Sequence, residues 1–267
     1  MKIFKGDIVN GIKENNTSHS SKQIESFDEN VVVIDDLINE IKLKHEGNSK
    51  LTELISDIKE RQITSFYDYL ELANGVADEE VLNDKDLGRK IYLEAEKVAE
   101  GFDEYNNLAD DIADEEILND KGWARKIYLK AEKVAEGFDE YHDLAISISN
   151  TTGLNDKVWA KELFIKAIKE EKKTNDGYLF TLIKLTGYIV KRQFLGDKEF
   201  AIEIYKDIEK RLKFKEECII LAYEISINLK NKEWVEELFS KRSNLPNCNL
   251  KGPKKLSIVL QERLEKL

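Results

Sequence analysis

Residues 102–137 read FDEYNNLADDIADEEILNDKGWARKIYLKAEKVAEG, and residues 66–101 read FYDYLELANGVADEEVLNDKDLGRKIYLEAEKVAEG; 24 of the 36 positions are identical. The next unit opens alike with Phe138-Asp-Glu-Tyr141. Self-similarity at this period is the signature of a helical repeat array. Leu82-Asn-Asp-Lys85 returns as Leu118-Asn-Asp-Lys121 and Leu154-Asn-Asp-Lys157, then more loosely as Leu195-Gly-Asp-Lys198 and Leu229-Lys-Asn-Lys232. The successive spacings are 36, 36, 41 and 34 residues. Five residues after each leucine stands a large apolar residue (Leu87, Trp123, Trp159, Phe200, Trp234), and ten after it an aromatic (Tyr92, Tyr128, Phe164, Tyr205, Phe239).

Within a unit the apolar positions recur at helical spacing. Tyr105, Leu108, Ala109 and Ile112 form one stripe, and Trp123, Ile127, Tyr128, Ala131 and Val134 form the next; both predict amphipathic helices. Between them Leu118-Asn119-Asp120 supplies a short turn in which Asp120 is placed to cap the second helix, and Gly137 marks its end. Neither helix buries its stripe alone, so neighbouring units must stack, with ends that need caps. The expected fold is all-α, an α-solenoid of about five helix-turn-helix repeats with helical caps at both ends.

These residues resemble the tetratricopeptide family, whose pattern is an aromatic, a leucine, a small residue and a large residue in the first helix, then small, aromatic and small in the second. Tyr105-x2-Leu108-Ala109-x2-Ile112 followed by Ala124-x3-Tyr128-x2-Ala131 fits that order, as do Tyr69 to Ala95 before it and Tyr141 to Ala167 after it. The longer inter-helix turn and the run Asp120-x3-Ala124-x3-Tyr128-x-Lys130-Ala131 look more like the Sel-one-like branch. The resemblance covers about residues 66–242, tightly for three units and loosely for two. The closing proline is missing, alanine replaces the usual first-helix glycine, and an insertion within 168–194 blurs the register.

Around the repeats, residues 1–30 read as a loosely structured segment. Asn30-Val-Val-Val-Ile34 has the composition of a short strand, but Val33, Leu37, Ile38 and Ile41, then Leu51, Leu54, Ile55 and Ile58, continue at helical spacing. A helical hairpin over 31–64 that caps the repeat domain (65–245) is the preferred reading. Pro253 suits the first turn of a last helix within 246–267 carrying Leu256, Val259, Leu260 and Leu264.

The net charge of -11 is uneven: residues 66–120 hold 4 Lys/Arg against 18 Asp/Glu, and residues 121–267 hold 29 against 23. A segment at -14 repels phosphate, so duplex nucleic acid is not an expected partner. Two cysteines, Cys218 and Cys248, are too few for a disulfide framework. The longest strongly apolar stretch, Cys218 to Tyr223, is far below the ~20 residues that cross a bilayer. The N-terminal residues turn polar before any signal-like core. A cytoplasmic protein without membrane contact is expected.

Enzyme motifs are absent: there is no phosphate-binding glycine loop, no His-Glu-x2-His, no Cys-x2-Cys and no Gly-x-Ser-x-Gly. His19, His45 and His142 are scattered, and His142, which replaces Asn106 at the equivalent position, reads as exposed. Asp110-Asp111-x2-Asp114-Glu115-Glu116 lacks the alternating ligands and central glycine of a calcium loop. Neither cofactor, metal nor catalysis is expected. The repeated aromatics are read as core rather than as base-stacking platforms, and the basic stretch from Lys184 to Lys215 is interleaved with carboxylates.

In tetratricopeptide-like arrays the first helix of each unit lines the concave face. Carried over, the resemblance implies partner contacts at Leu70 and Asn74, Asn106 and Asp110, His142 and Ile146, with Asp103 and Asp139 one turn earlier. The expected function is a non-catalytic scaffold or adaptor that binds a basic protein or peptide on its acidic repeats. The same charge block also suits an immunity-type inhibitor, as expected of a bacterial protein, that masks the cationic site of a toxin or nuclease. Opposite net charges along the chain also suit a homo-oligomer.

Overall fold

The computed structural model describes residues 35–60, 65–173, 179–247 and 251–264. Among them every regular element is a helix, and none is long and apolar enough to cross a membrane. The segment 1–30 and residues 31–34 of the hairpin lie outside the described residues. The chain divides after Val98 into two compact units.

The first unit holds α1 (35–44), α2 (Ser49–Glu60), α3 (Phe66–Ala77) and α4 (Lys85–Val98). Ile38, Ile41, Leu51 and Ile55 are buried, as their spacing predicts, whereas Leu43 is 83% exposed. The second unit holds α5 (Phe102–Ala113), α6 (Lys121–Val134), α7 (Gly137–Ser149), α8 (Lys157–Lys173), α9 (Leu179–Val190), α10 (Lys198–Arg211), α11 (Lys215–Asn228), α12 (Lys232–Arg242) and α13 (Lys251–Leu264). Five helix pairs correspond to the five repeats: α3 with α4, α5 with α6, α7 with α8, α9 with α10, and α11 with α12. In the second unit α5 touches α7, α9 touches α11, and α13 lies on α11, a solenoid-like succession.

The first helices share one buried triplet: Leu72-Ala73-Val76, Leu108-Ala109-Ile112, Leu144-Ala145-Ile148, Leu185-Thr186-Ile189 and Leu221-Ala222-Ile225, every residue 0% exposed. Thr186, the one polar member, satisfies its hydroxyl on the Leu182 carbonyl at 2.6 Å. Small residues at the second position let the partner helix approach. This triplet restores the register where spacing alone blurs it. The extra residues of the 41-residue interval lie at the end of α8, 17 residues long against 14 in α4 and α6, and before α9. The 34-residue interval has a three-residue turn after α11 where the other repeats have seven, offset in part by an α11 two residues longer than α9.

The Leu-Asn-Asp-Lys motif acquires a physical meaning in the turn between the helices. Asn83, Asn119 and Asn155 have φ of 53°, 52° and 54°, the left-handed region that asparagine tolerates better than most residues. Gly196 takes this position in the fourth repeat, and Lys230 (φ 56°) in the fifth. The next residue caps the second helix: Asp84, Asp120, Asp156, Asp197 and Asn231 accept from the backbone N–H of Leu87, Trp123, Trp159, Phe200 and Trp234 at 2.9–3.2 Å. Their own N–H groups, in the first four repeats, donate to Val76, Ile112, Ile148 and Ile189 carbonyls. Each turn thus closes onto the first helix while starting the second. Lys230 alone carries a long side chain in the strained conformation without an amide to bond locally. Lys230→Gly is expected to stabilise the chain by ~0.5–1 kcal/mol, the left-handed penalty less the entropy of glycine. The check is a higher urea midpoint at unchanged slope.

Polar links join consecutive repeats of the second unit. Arg125 on α6 reaches the cap Asp156 at 2.8 Å, and Lys161, at the same position on α8, reaches the cap Asp197 at 2.6 Å. The indole N–H of Trp159 donates to Glu132 at 2.9 Å while Lys166 pairs with the same carboxylate. Trp234, Glu209 and Lys241 repeat that arrangement. Glu171, 3% exposed on α8, receives both terminal nitrogens of Arg211 from α10, at 3.1 and 3.3 Å.

Candidate functional site

The -14 segment is less free than its charge suggests. Six of its 18 carboxylates hold backbone N–H groups: Asp68 that of Ser65, Glu104 those of Glu100 and Gly101, Asp78 and Asp114 those of Glu80 and Glu116, and Asp84 and Asp120 as described. Asp68, Asp84, Glu104 and Asp120 lie at helix N-termini, where the backbone dipoles favour negative groups, whereas Asp78 and Asp114 stand at the C-terminal ends of α3 and α5 and bond within the turn. Asp84 also takes Lys44 at 2.6 Å and His45 at 2.9 Å from α1 and its following turn. Burial pushes its carboxyl up, but the bonds from Lys44, His45 and the Leu87 N–H outweigh burial and hold it at about 2. His45, unassigned by the sequence, is therefore a structural tie within the first unit.

In that unit Leu70 is buried and Asn74 accepts a hydrogen bond from the phenol of Tyr92, the aromatic of its own repeat. In the second unit Asp103, Asn106 and Asp110 stand at i, i+3 and i+7 on α5, and Asp139, His142 and Ile146 do so on α7, so each trio shares a helix face. Asp103 and Asp139 are exposed and carry no ion pair among the described residues. Asn106 is buried, while Ile146 is partly buried.

Asp110 is the centre of a polar cluster that joins three helices. It accepts from the Tyr128 phenol on α6, from the Ser147 hydroxyl on α7 at 3.0 Å, and from the Asn106 amide at 3.3 Å. Asn106 Nδ2 also donates to Ser147 Oγ at 3.2 Å. Burial raises the Asp110 carboxyl above the usual carboxylate range; the Tyr128 and Ser147 bonds pull it back, and the nearby Asp114 charge adds to the rise. Burial likewise raises the Tyr128 phenol, reinforced by Asp110. Asp110 has no cationic partner among the described residues, and Asn106 Oδ1, buried, accepts no hydrogen bond there. In the third repeat the positions of Tyr128 and Asp110 hold Phe164 and Ile146, which offer neither hydroxyl nor acceptor.

His142 departs from the exposed position expected of it. Its ring stacks on Phe138 (5.7 Å between centroids, 12° between planes) and meets the edges of Tyr188 at 5.4 Å and Phe164 at 6.3 Å. Its Nδ1 lies 2.8 Å from Asp143. The reason is the insertion before α9, which shifts the following repeat along the sequence and hides Tyr188 as a neighbour of α7.

Sequence reasoning did not name Ser147 or Tyr128 as members of the site. Tyr128 was legible only as core, and Ser147 is one helix away from the carboxylate it bonds. No group of three or more His, Cys, Asp or Glu side chains is arranged to hold a metal ion among the described residues. A groove of about 540 Å³ lies elsewhere in the second unit, lined by Ile227, Lys230, Val235 and Leu264 among others. No known protein family, curated protein or solved structure matches the chain.

Proposed function

We propose that this chain is a tetratricopeptide-like repeat protein of the Sel-one-like kind. It acts without catalysis, as a cytoplasmic adaptor holding a basic protein or peptide segment against the first helices of its acidic repeats. The family assignment draws support from the helix pairs, the shared Leu-Ala core and the capped turns. The observation that carries the function is the unpaired acidity of α5 and α7. Asp103 and Asp139 are exposed without a cation, Asp110 is half-buried without one, and the other carboxylates of the segment are partly engaged in caps. Uncompensated carboxylates on one side of neighbouring helices attract and orient cations, an effect that salt weakens.

The test is the affinity of the full chain for an arginine-rich decapeptide at low and high salt. Asp103→Lys with Asp139→Lys, both at exposed positions, is expected to weaken binding at least tenfold in low salt, and added salt to weaken the wild type. An unchanged affinity for the double variant refutes the reading.

A further inference from the structure

Three features of the second unit stand outside its structural links: the apolar groove near Ile227, the aromatic cluster around His142, and the polar cluster around Asp110. Nothing in the structure says what covers the groove, and the rings around His142 satisfy one another. The Asp110 cluster differs, because two of its groups lack complements.

The carboxylate at Asp110 is not demanded by the tyrosine it faces. In the first repeat a neutral amide, Asn74, accepts the equivalent phenol. In the second repeat the acceptor is a charged group, half-buried, beside Asp114 and without a cation among the described residues. Burying an unpaired charge disfavours folding relative to a neutral group of the same shape. Beside it, on the same face of α5, Asn106 is 8% exposed and its Oδ1 lacks a donor among the described residues. A buried acceptor left open carries a further penalty. Asp110 lacks a cation and the Asn106 oxygen lacks a donor, and one group that carries positive charge and several N–H donors supplies both.

We propose that the Asn106–Asp110–Ser147 cluster between α5 and α7 is the seat for the guanidinium head of an arginine side chain supplied by the partner. This rests on the reading that the acidic repeats hold a basic segment, and it names the residues that choose the side chain. A guanidinium is a planar cation with five N–H donors, enough to bond the remaining lone pairs of Asp110 and the Asn106 oxygen together. Once its charge is paired, Asp110 no longer needs the Asn106 amide as donor, and that amide can turn its oxygen to the ligand. Asp103, one helical turn away from Asn106, and Asp139 on α7 provide the long-range attraction.

The first repeat supplies variants that keep the fold, since Leu70 and Asn74 occupy the positions of Asn106 and Asp110 there. The probe is a decapeptide alternating arginine and glycine, with a second in which every arginine is citrulline, equal in shape but neutral. Affinity of the full chain and of each variant at low salt is measured by titration calorimetry, and the place of binding on the wild type is followed by the side-chain amide signals of Asn106 in nitrogen-15 spectra. Expected are saturable shifts of those signals with the arginine peptide, at least tenfold weaker binding by Asp110→Asn and by Asn106→Leu, and no shift with the citrulline peptide. If the arginine peptide binds wild type and both variants equally, or leaves the Asn106 signals unmoved, the seat is refuted while the adaptor reading stands. If the arginine peptide does not bind the wild type at low salt, the adaptor reading itself falls, and the seat with it.

Discussion

Tyr128→Ala is expected to lower the stability of the second unit by about 4 kcal/mol, the range for emptying a fully buried aromatic site. Its side chain is 0% exposed, and its phenol is one of the groups that satisfy Asp110. The loss therefore combines a cavity with a carboxylate deprived of a donor. Against a total of ~5–15 kcal/mol for a domain, this is a large fraction. Two milder variants separate the terms. Tyr128→Phe removes the hydroxyl alone and is expected to cost ~1.5–3 kcal/mol, the value of a hydrogen bond to a charged group. Adding Asp110→Ile to it recreates the Phe164 and Ile146 combination of the third repeat. The double variant is expected to regain most of the loss, giving a coupling energy above about 1 kcal/mol in a urea-denaturation cycle. Additive losses would show that the two residues do not act as a pair.

Arg211→Ala is expected to cost about 3 kcal/mol, because it removes the bidentate partner of a carboxylate that is 3% exposed. Replacing both residues, Glu171→Leu with Arg211→Leu, is expected to be close to neutral, since a buried ion pair contributes little beyond an apolar pair of similar volume. The measurement is the denaturation midpoint of each single variant and of the pair. A loss in Arg211→Ala below ~0.5 kcal/mol would mean that other contacts hold Glu171 and that the two helices do not depend on the bond.

The helix pairs were legible because a near-identical duplication repeats its hydrophobic period, and burial of that period is what folds the chain. The cap at Asp120 was legible for a local reason: a side chain three residues from the N–H it bonds leaves its mark in the spacing. The left-handed asparagine beside it was not read, although it stands in three repeats, because backbone handedness leaves no trace in hydropathy. The implied contact positions show the limit of helical periodicity. It placed Asn106 and Asp110 on one face correctly, but a face does not say what lies opposite. Asn74 meets a tyrosine of its own repeat, and Asn106 meets a serine 41 residues away. Glu171 was invisible for the same reason: its charge predicts solvent, and its burial is matched by Arg211 arriving from 40 residues away.

The ion pairs that run from one repeat to the cap of the next also limit how such a chain can grow. Where the second helix carries Arg125 or Lys161 five residues after its cap, the following cap is an aspartate. In the fourth repeat that position is Ile202, and the following cap is the uncharged Asn231. Each module thus has a socket at its cap and a plug on its second helix, and the two change together. A 36-residue duplication placed before the fourth repeat matches plug to socket and lengthens the chain without a mismatch. The same copy placed after the fourth repeat sets an aspartate beside isoleucine, so gene-level expansion is tolerated on one side of Ile202 and penalised on the other.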